Sequence, residues 1–366
     1  MKFYLIAGER SGDLHGSNLV KAMLRLKPNI SFRGFGGDEM QKAGVLLVMH
    51  YNQLAFMGFQ AVVNFLKIAK YMKDCKADIL EFKPDALILI DYGGFNRQMA
   101  TFGKTNGIKV LYYIPPKVWA WRQGRAWQLK KNVDRMFVIL PFEKEFYKKY
   151  DFDVDYVGNP VLDAIQSFVP NPGFLFENNL SKEKKIVAFL PGSRKMELQM
   201  IVPLMAEVAK RNPEHQYVVA AVDNLPQELY SPLKETGNVK FVYNATYDLL
   251  THADAAIVTS GTATLETALF KVPQVVVYKA GGLEYMIASS VIKVKFISLV
   301  NLIAGKEVVK EMIQSKATVE SVGGELQVLL QDQPYREKML KEYDQLYKTL
   351  DIGSASENTA KLILSA

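Results

Sequence analysis

The chain has one cysteine, four histidines and three tryptophans, and each scarcity removes a class of protein. A single thiol, Cys75, rules out an internal disulfide framework and a cysteine-built zinc site. His15, His50, His215 and His252 are scattered without metal-ligand spacing, so no metal and no cofactor is expected. Nowhere do about 18 uncharged apolar residues run together, the minimum for a membrane-spanning helix. The opening Met1-Lys-Phe-Tyr-Leu-Ile-Ala-Gly-Glu9 is too short in its apolar part for a secretory signal and reads as a first β-strand. A protein of the cytosol, or of a cytosolic membrane face, is the expectation. The glycine turns match neither G-x-G-x-x-G nor the Walker lysine pattern, which removes the NAD and ATP signatures, and no G-x-S-x-G elbow occurs.

What is present is an ordinary globular balance: 366 residues, 49% hydrophobic and 23% charged, with 45 Lys and Arg against 38 Asp and Glu for a net charge of +7. The length suits two domains, each able to bury its own core. Strand-like runs at 3–7, 86–90, 110–114, 135–140, 186–190, 217–221, 239–243, 255–259 and 274–278 alternate with helical patterns. Several are unbroken Val/Ile/Leu, as in parallel strands covered on both faces. The expectation is therefore α/β, with two Rossmann-like domains facing a cleft. The first spans 1–167. Turn formers and charges at 168–184 read as a linker. The second domain spans 185–345, and a last helical segment occupies 346–366.

In such sheets ligands bind beyond the carboxyl ends of the strands, so the turns there are the candidates. Gly8-Glu-Arg-Ser-Gly-Asp13 follows the first strand, and Asp13 reads either as a helix cap or as a chemical group. Gly34-Phe-Gly-Gly37 reads as a structural turn. Asp91 ends an apolar strand; burial there would suit it to general-base work, while loop bracing is the plain alternative. The stretch from 56 to 76 carries a wide apolar surface, including Phe59, Val62, Phe65 and Leu66, beside lysines. It fits a core-facing helix or one lying on anionic lipid. Trp119, Trp121 and Trp127 are interleaved with Arg122 and Arg125, a pattern that suits sugars, lipid headgroups or single-stranded nucleic acid. In the second half, Gly192, Ser193 and Arg194 form a small-residue turn able to hold a diphosphate. Ser260, Gly261 and Thr262 form another, leading to Glu266. Ala263 stands where a capping box needs Ser or Thr, which leaves Glu266 free for ribose hydroxyls.

Together these stretches resemble the lipid A disaccharide synthase family, glycosyltransferases of the GT-B fold. The resemblance runs nearly the whole chain. It includes Ala7-Gly-Glu-Arg-Ser-Gly-Asp13, Gly36-Gly-Asp-Glu-Met40, Leu54-Ala-Phe-Met-Gly58, Asp91 with Phe95-Asn96, and Pro116-Lys-Val-Trp-Ala-Trp-Arg122. It continues through Leu140-Pro-Phe-Glu143, Leu190-Pro-Gly-Ser-Arg194 with Glu197, Ser260-Gly-Thr-Ala-Thr-Leu-Glu266, and Ser298 to Gly305 with Glu311 and Gln314. The family joins UDP-2,3-diacylglucosamine to 2,3-diacylglucosamine 1-phosphate (lipid X) without a metal, at the cytoplasmic face of the inner membrane. The resemblance implies that Asp91 is the base, that Arg194 and Ser193 hold the leaving diphosphate, and that Glu266 binds ribose. Tyr278 and Asn301 would lie in motifs closing around the nucleotide. The wide apolar helix and the tryptophan patch lead to the expectation that Phe59, Val62, Phe65, Leu66, Trp119, Trp121 and Arg122 meet the acylated acceptor. The partners implied are the two lipid substrates and an anionic membrane surface, without nucleic acid; a homodimer is left open. Gly94 stands where many members carry an acidic residue, so Asp13 and Glu9 are the candidates to back Asp91. Two rivals remain: a UDP-sugar 2-epimerase on the same fold, and a non-catalytic lipid- or RNA-binding protein.

Overall fold

The computed structural model describes residues 1–53, 65–281 and 294–365, with side chains from 68 in the second segment. Two units divide the chain: Met1–Pro160 with Asp351–Ala366, and Val161–Leu350.

The strands of the first unit are β1 (Lys2–Ala7), β2 (Ser31–Gly36), β3 (Val45–His50), β4 (Ala86–Ile90), β5 (Lys109–Tyr113), β6 (Arg135–Val138) and β7 (Asp155–Tyr156). Its helices are α1 (Arg10–Leu26), α2 (Asp38–Lys42), α3 (Phe65–Phe82), α4 (Gly93–Thr105), α5 (Arg125–Asn132) and α6 (Phe142–Lys148). Among the described residues the strands pair in parallel in the order β3-β2-β1-β4-β5-β6-β7. The order reverses between β1 and β4, and there Ala7 lies beside Ile90. The turns that follow these two strands therefore emerge side by side, at the switch point where open α/β sheets bind ligands. β4 is buried from end to end, as its unbroken Ala-Leu-Ile-Leu-Ile run predicts.

Helix α7 (Pro160–Gln166) starts at the division, and the second unit holds the rest of it with α8 (Phe174–Glu177), β8 (Ile186–Leu190), α9 (Lys195–Arg211), β9 (Gln216–Ala221) and α10 (Ser231–Lys234). There follow β10 (Val239–Tyr243), α11 (Thr246–His252), β11 (Ala255–Thr259), α12 (Thr262–Leu269), β12 (Gln274–Tyr278), α13 (Leu299–Ala304), β13 (Glu311–Ile313), α14 (Val319–Gln331) and α15 (Gln333–Leu350). Its parallel sheet runs β10-β9-β8-β11-β12-β13, and the reversal between β8 and β11 sets Leu190 beside Val258. The chain ends in α16 (Ala355–Leu364), whose Ala355, Ala360 and Ile363 are buried in the first unit's core.

Three readings of the sequence need correction. The Gly34–Gly37 stretch is not simply a turn: Gly34 and Gly36 lie inside β2, which glycine had disguised. The 168–184 stretch is not a free linker, because Phe174 and Leu180 enter the second core; the division falls at Pro160 and Val161. Residues 346–350 complete α15, and only the segment from Asp351 belongs with the first unit. Phe59 and Val62 lie outside the described residues, as do the side chains of Phe65 and Leu66. Further along α3, Ala69 is exposed while Met72, Cys75, Asp78 and Ile79 face inward. Asp78 there pairs with Arg33 and accepts the Tyr4 hydroxyl at 2.7 Å, tying α3 to the sheet.

Candidate active site

In the first unit Asp91 stands at the carboxyl end of β4, half-buried. Both Asp91 and Tyr92 adopt left-handed backbone angles, φ 47° and 50°, an uncommon conformation for side chains with a Cβ. Three contacts hold the turn: Asn96 Nδ2 donates to the Asp91 carbonyl at 2.8 Å, the buried Tyr112 hydroxyl donates to the same oxygen at 2.9 Å, and Tyr92 N–H donates to Asp91 Oδ1 at 2.9 Å. Burial raises the Asp91 carboxyl above its usual range, opposed by the Tyr92 N–H and the charge of Lys117. A fixed carboxylate with a raised pKa, on the binding edge of the sheet, is equipped to take a proton from a hydroxyl.

The neighbouring glycine turn does something different from what its sequence suggested. Asp13 is buried and its carboxylate accepts N–H bonds from Gly37 at 2.7 Å, Glu39 at 3.1 Å and Met40 at 3.0 Å. It caps α2, not its own helix α1, and locks the two glycine turns together. An oxygen pair so occupied is poorly placed to serve as a reserve base. Glu9 is exposed at the N-cap of α1, and its charge acts on Tyr92. Gly8 packs under the Tyr92 ring, where a Cβ would come within 2.3 Å of ring carbons.

The tryptophan segment splits in two. Trp119 is buried, contrary to the expected lipid contact: its indole N–H donates to Glu143 Oε1 at 3.1 Å, and its ring meets Phe142 edge-on at 4.9 Å. Glu143, wholly enclosed, also accepts from Leu140 N–H at 2.9 Å and Ile139 N–H at 3.2 Å, and burial pushes its carboxyl up to about 7. Trp121 and Trp127, by contrast, are 42% and 53% exposed. Arg122 and Arg125 lie over the Trp121 ring, 4.9 and 5.3 Å from its centre.

In the second unit the Gly192–Arg194 turn is already engaged by a carboxylate. Glu197 Oε2 accepts from the N–H groups of Ser193 at 3.0 Å and Arg194 at 3.1 Å, while Arg194 Nη1 pairs with Oε1 at 2.7 Å. Gly192 has φ 100°, and a Cβ there would stand 2.3 Å from Glu197, so the turn requires glycine. The two donors and the guanidinium thus point at one acid group, the arrangement a phosphate would need. Across the switch point, Ser260 Oγ donates to the Ile297 carbonyl at 2.9 Å, and Gly261 and Thr262 are exposed at the start of α12. Glu266 lies in the second turn of α12, not the first, and is half-buried. Tyr247 donates to its Oε1 at 2.9 Å, a partner the sequence did not reveal; burial still raises its carboxyl.

Tyr278 closes β12, half-buried. Asn301 is not a free ligand: its amide donates to Val309 O at 2.8 Å and Glu311 Oε1 at 2.9 Å and accepts from Val308 and Val309 N–H. All four of its hydrogen-bonding positions are used within the fold. Glu311 also accepts from Ser298, so this motif braces the chain around β13. Among the described residues no cluster of His, Cys, Asp or Glu could hold a metal, and no helix is long and apolar enough to cross a membrane.

Comparison with known proteins gives the arrangement a family. The family model described as lipid-A-disaccharide synthetase matches residues 3–364. The lipid-A-disaccharide synthase of Syntrophus aciditrophicus is 39% identical, covering 99% of this chain and 96% of that protein. That of Coxiella burnetii is 36% identical over 98% and 96%. Among solved structures, a Neisseria meningitidis UDP-GlcNAc 2-epimerase bound to UDP-GlcNAc aligns over 100% of both chains with a TM-score of 0.67 at 14% identity. Acinetobacter baumannii MurG aligns over 100% of this chain and 99% of its own, with a TM-score of 0.61 at 13% identity. Those two likenesses show the fold, and the relatives show the activity. The chain belongs to the lipid-A-disaccharide synthetase family, hexosyltransferases of GT-B fold that act in lipid A biosynthesis.

Proposed function

We propose that the chain transfers 2,3-diacylglucosamine from UDP to the primary hydroxyl of 2,3-diacylglucosamine 1-phosphate, inverting the anomeric centre. The observation that carries the reading is Asp91: a half-buried carboxylate with a raised pKa, held at the switch point by Asn96, Tyr112 and Tyr92. Its carboxylate takes the acceptor's hydroxyl proton as that oxygen attacks the anomeric carbon. The bond from that carbon to the diphosphate breaks on the opposite side, and UDP leaves with the electron pair. Ser193 and Arg194 receive the growing charge on the diphosphate, a stabilisation worth about 3–4 kcal/mol per donor in comparable sites. To do so Arg194 exchanges or shares its bond to Glu197. That pair is mostly exposed on the arginine side, so breaking it costs about 1 kcal/mol or less.

Glu266, oriented by Tyr247, accepts the ribose hydroxyls, with Gly192, Ser260, Gly261, Thr262 and Tyr278 lining the nucleotide. Asn301 acts indirectly, by bracing. The acceptor's acyl chains and the basic, tryptophan-bearing surface support a reaction at an anionic membrane surface, on its cytoplasmic face, with Trp121 and Arg122 toward the acylated acceptor.

The test is to incubate the protein with both lipid substrates in detergent micelles containing EDTA and to follow UDP and product. Stoichiometric UDP and a β-linked disaccharide are expected. Epimerisation of soluble UDP-N-acetylglucosamine with no disaccharide would overturn the reading in favour of an epimerase.

A further inference from the structure

Three guanidinium groups gather at the sheet edge that carries Asp91. Arg97 lies near the start of α4, six residues after Asp91. Arg122 and Arg125 lead into α5, and both lie against the Trp121 indole. Helix starts in such a sheet adjoin the carboxyl ends of the strands, so the group shares the binding edge with the base. Arg97 and Arg122 are close enough to Arg125 to disfavour its charge, adding to partial desolvation. Among the described residues none of the three has an ion-pair partner. Of the other described arginines, Arg25, Arg33, Arg135, Arg194 and Arg211 each meet a carboxylate, Arg336 donates to backbone carbonyls, and Arg10 forms no ion pair among the described residues. Stacking on Trp121 accounts for Arg122 and Arg125 in part. It does not account for Arg97, which makes no such contact.

Arg97 also lines an open groove of about 590 Å³ between α4 and α5, with Gln98, Gln128 and Lys131 and no acidic side chain in its lining; Arg122 and Arg125 stand outside it. Lys104, on the same wall, is already paired with Asp134. Like charges held together without a counter-charge are tolerated when an anion completes the site, and planar guanidinium groups match phosphate oxygens in pairs.

We propose that Arg97, Arg122 and Arg125 form a subsite for a phosphate monoester. Resting on the function proposed above, its occupant is the 1-phosphate of the acceptor, whose charge of about −2 at neutral pH these three cations more than neutralise. The subsite makes the phosphate a condition of efficient acceptor binding and leaves the donor alone.

The kinetic test compares the phosphorylated acceptor with its dephosphorylated analogue, matched in acyl chains, in neutral detergent micelles. Arg97→Ala with Arg125→Ala is expected to raise KM for the phosphorylated acceptor by about tenfold to a hundredfold. KM for the donor and for the dephosphorylated acceptor stay near wild type, and Arg97→Lys with Arg125→Lys recovers part of the loss. Equal effects on the two acceptors, or none on either, overturn the proposal. So does a variant with normal micelle kinetics that fails only to sediment with phosphatidylglycerol vesicles, because the arginines then serve the bilayer. A second measurement needs no turnover: titration of tryptophan fluorescence with glucosamine 1-phosphate. A saturable change, lost in the double alanine variant and in Trp121→Phe, is expected. No saturable change, or one that survives in the double variant, overturns the subsite even if disaccharide synthesis itself stands. If wild type makes no disaccharide yet shows the saturable change, the substrate reading fails and the phosphate subsite remains.

Discussion

At the residue scale, Asp13, Asp91 and Glu143 show how one chemical group takes three roles from its surroundings. Asp13 spends both oxygens on backbone N–H groups and caps a helix. Among the described residues the Asp91 side chain accepts one N–H bond, from Tyr92, and keeps the capacity to accept a proton. Glu143 is enclosed with three donors, two of them on the backbone. Its folded pKa of about 7 exceeds the ordinary 4.5, so burial favours its neutral form. Stability associated with it is fully present below pH 4.5 and is lost as pH rises through about 7. In Glu143→Gln that slope is absent, and the amide turns an N–H toward either Trp119 or the 139–140 backbone, costing about 1–3 kcal/mol. Urea unfolding across that pH range checks both; a variant with the wild-type slope would refute the assignment. Strand-end Asp91 and turn-borne Arg194 were legible in the sequence because strand, turn and helix follow one another locally. Tyr247 on Glu266 and Glu143 on Trp119 were not, because those partners meet only when the sheet forms. Glu197 on Arg194 was within reach, since a Glu three residues after a helix's N-cap is a capping-box position.

At the element scale, unbroken apolar strands announced themselves, and those that hid did so for physical reasons. β2 contains Gly34 and Gly36, which carry no side-chain pattern, and β3 exposes Leu46 and Val48 at the sheet edge, against the usual patterning. The tryptophan segment mixes one buried ring with two exposed ones, a distinction that composition cannot make. α16 matters more to the first unit than its distance along the chain suggests. Ile363→Ala, which removes a buried side chain from that core, is expected to cost about 2–5 kcal/mol. Arg25→Ala, which breaks the exposed pair to Glu357 between α1 and the same helix, should cost about 1 kcal/mol or less. Denaturant midpoints for the two variants check the ordering; equal losses would show that α16 is held by charge and not by packing.

At the scale of the whole molecule, each unit repeats one physical solution: a parallel sheet whose strand order reverses, with glycine or small-residue turns at the reversal. The two-domain α/β plan was legible from the alternation of strand and helix, whereas the boundary was not. Proline and charge near 168–184 looked like a linker until Phe174 and Leu180 were seen to fill the second core. The duplication also divides the chemistry, with the candidate base in one unit and the candidate diphosphate and ribose groups in the other. Asp91 is the group on which the catalytic account turns, and Asp91→Asn is the apt variant because asparagine tolerates the left-handed backbone found there. The decisive measurement is the pH dependence of kcat for disaccharide synthesis in wild type and Asp91→Asn, with UDP binding followed by calorimetry. Wild type should lose activity toward acid through a limb set above the usual carboxylate range, since only the ionised base works. Asp91→Asn should bind UDP normally, lose that limb and fall by about 10²–10⁴ in kcat. Turnover within a few-fold of wild type, with the acid limb intact, would contradict the account.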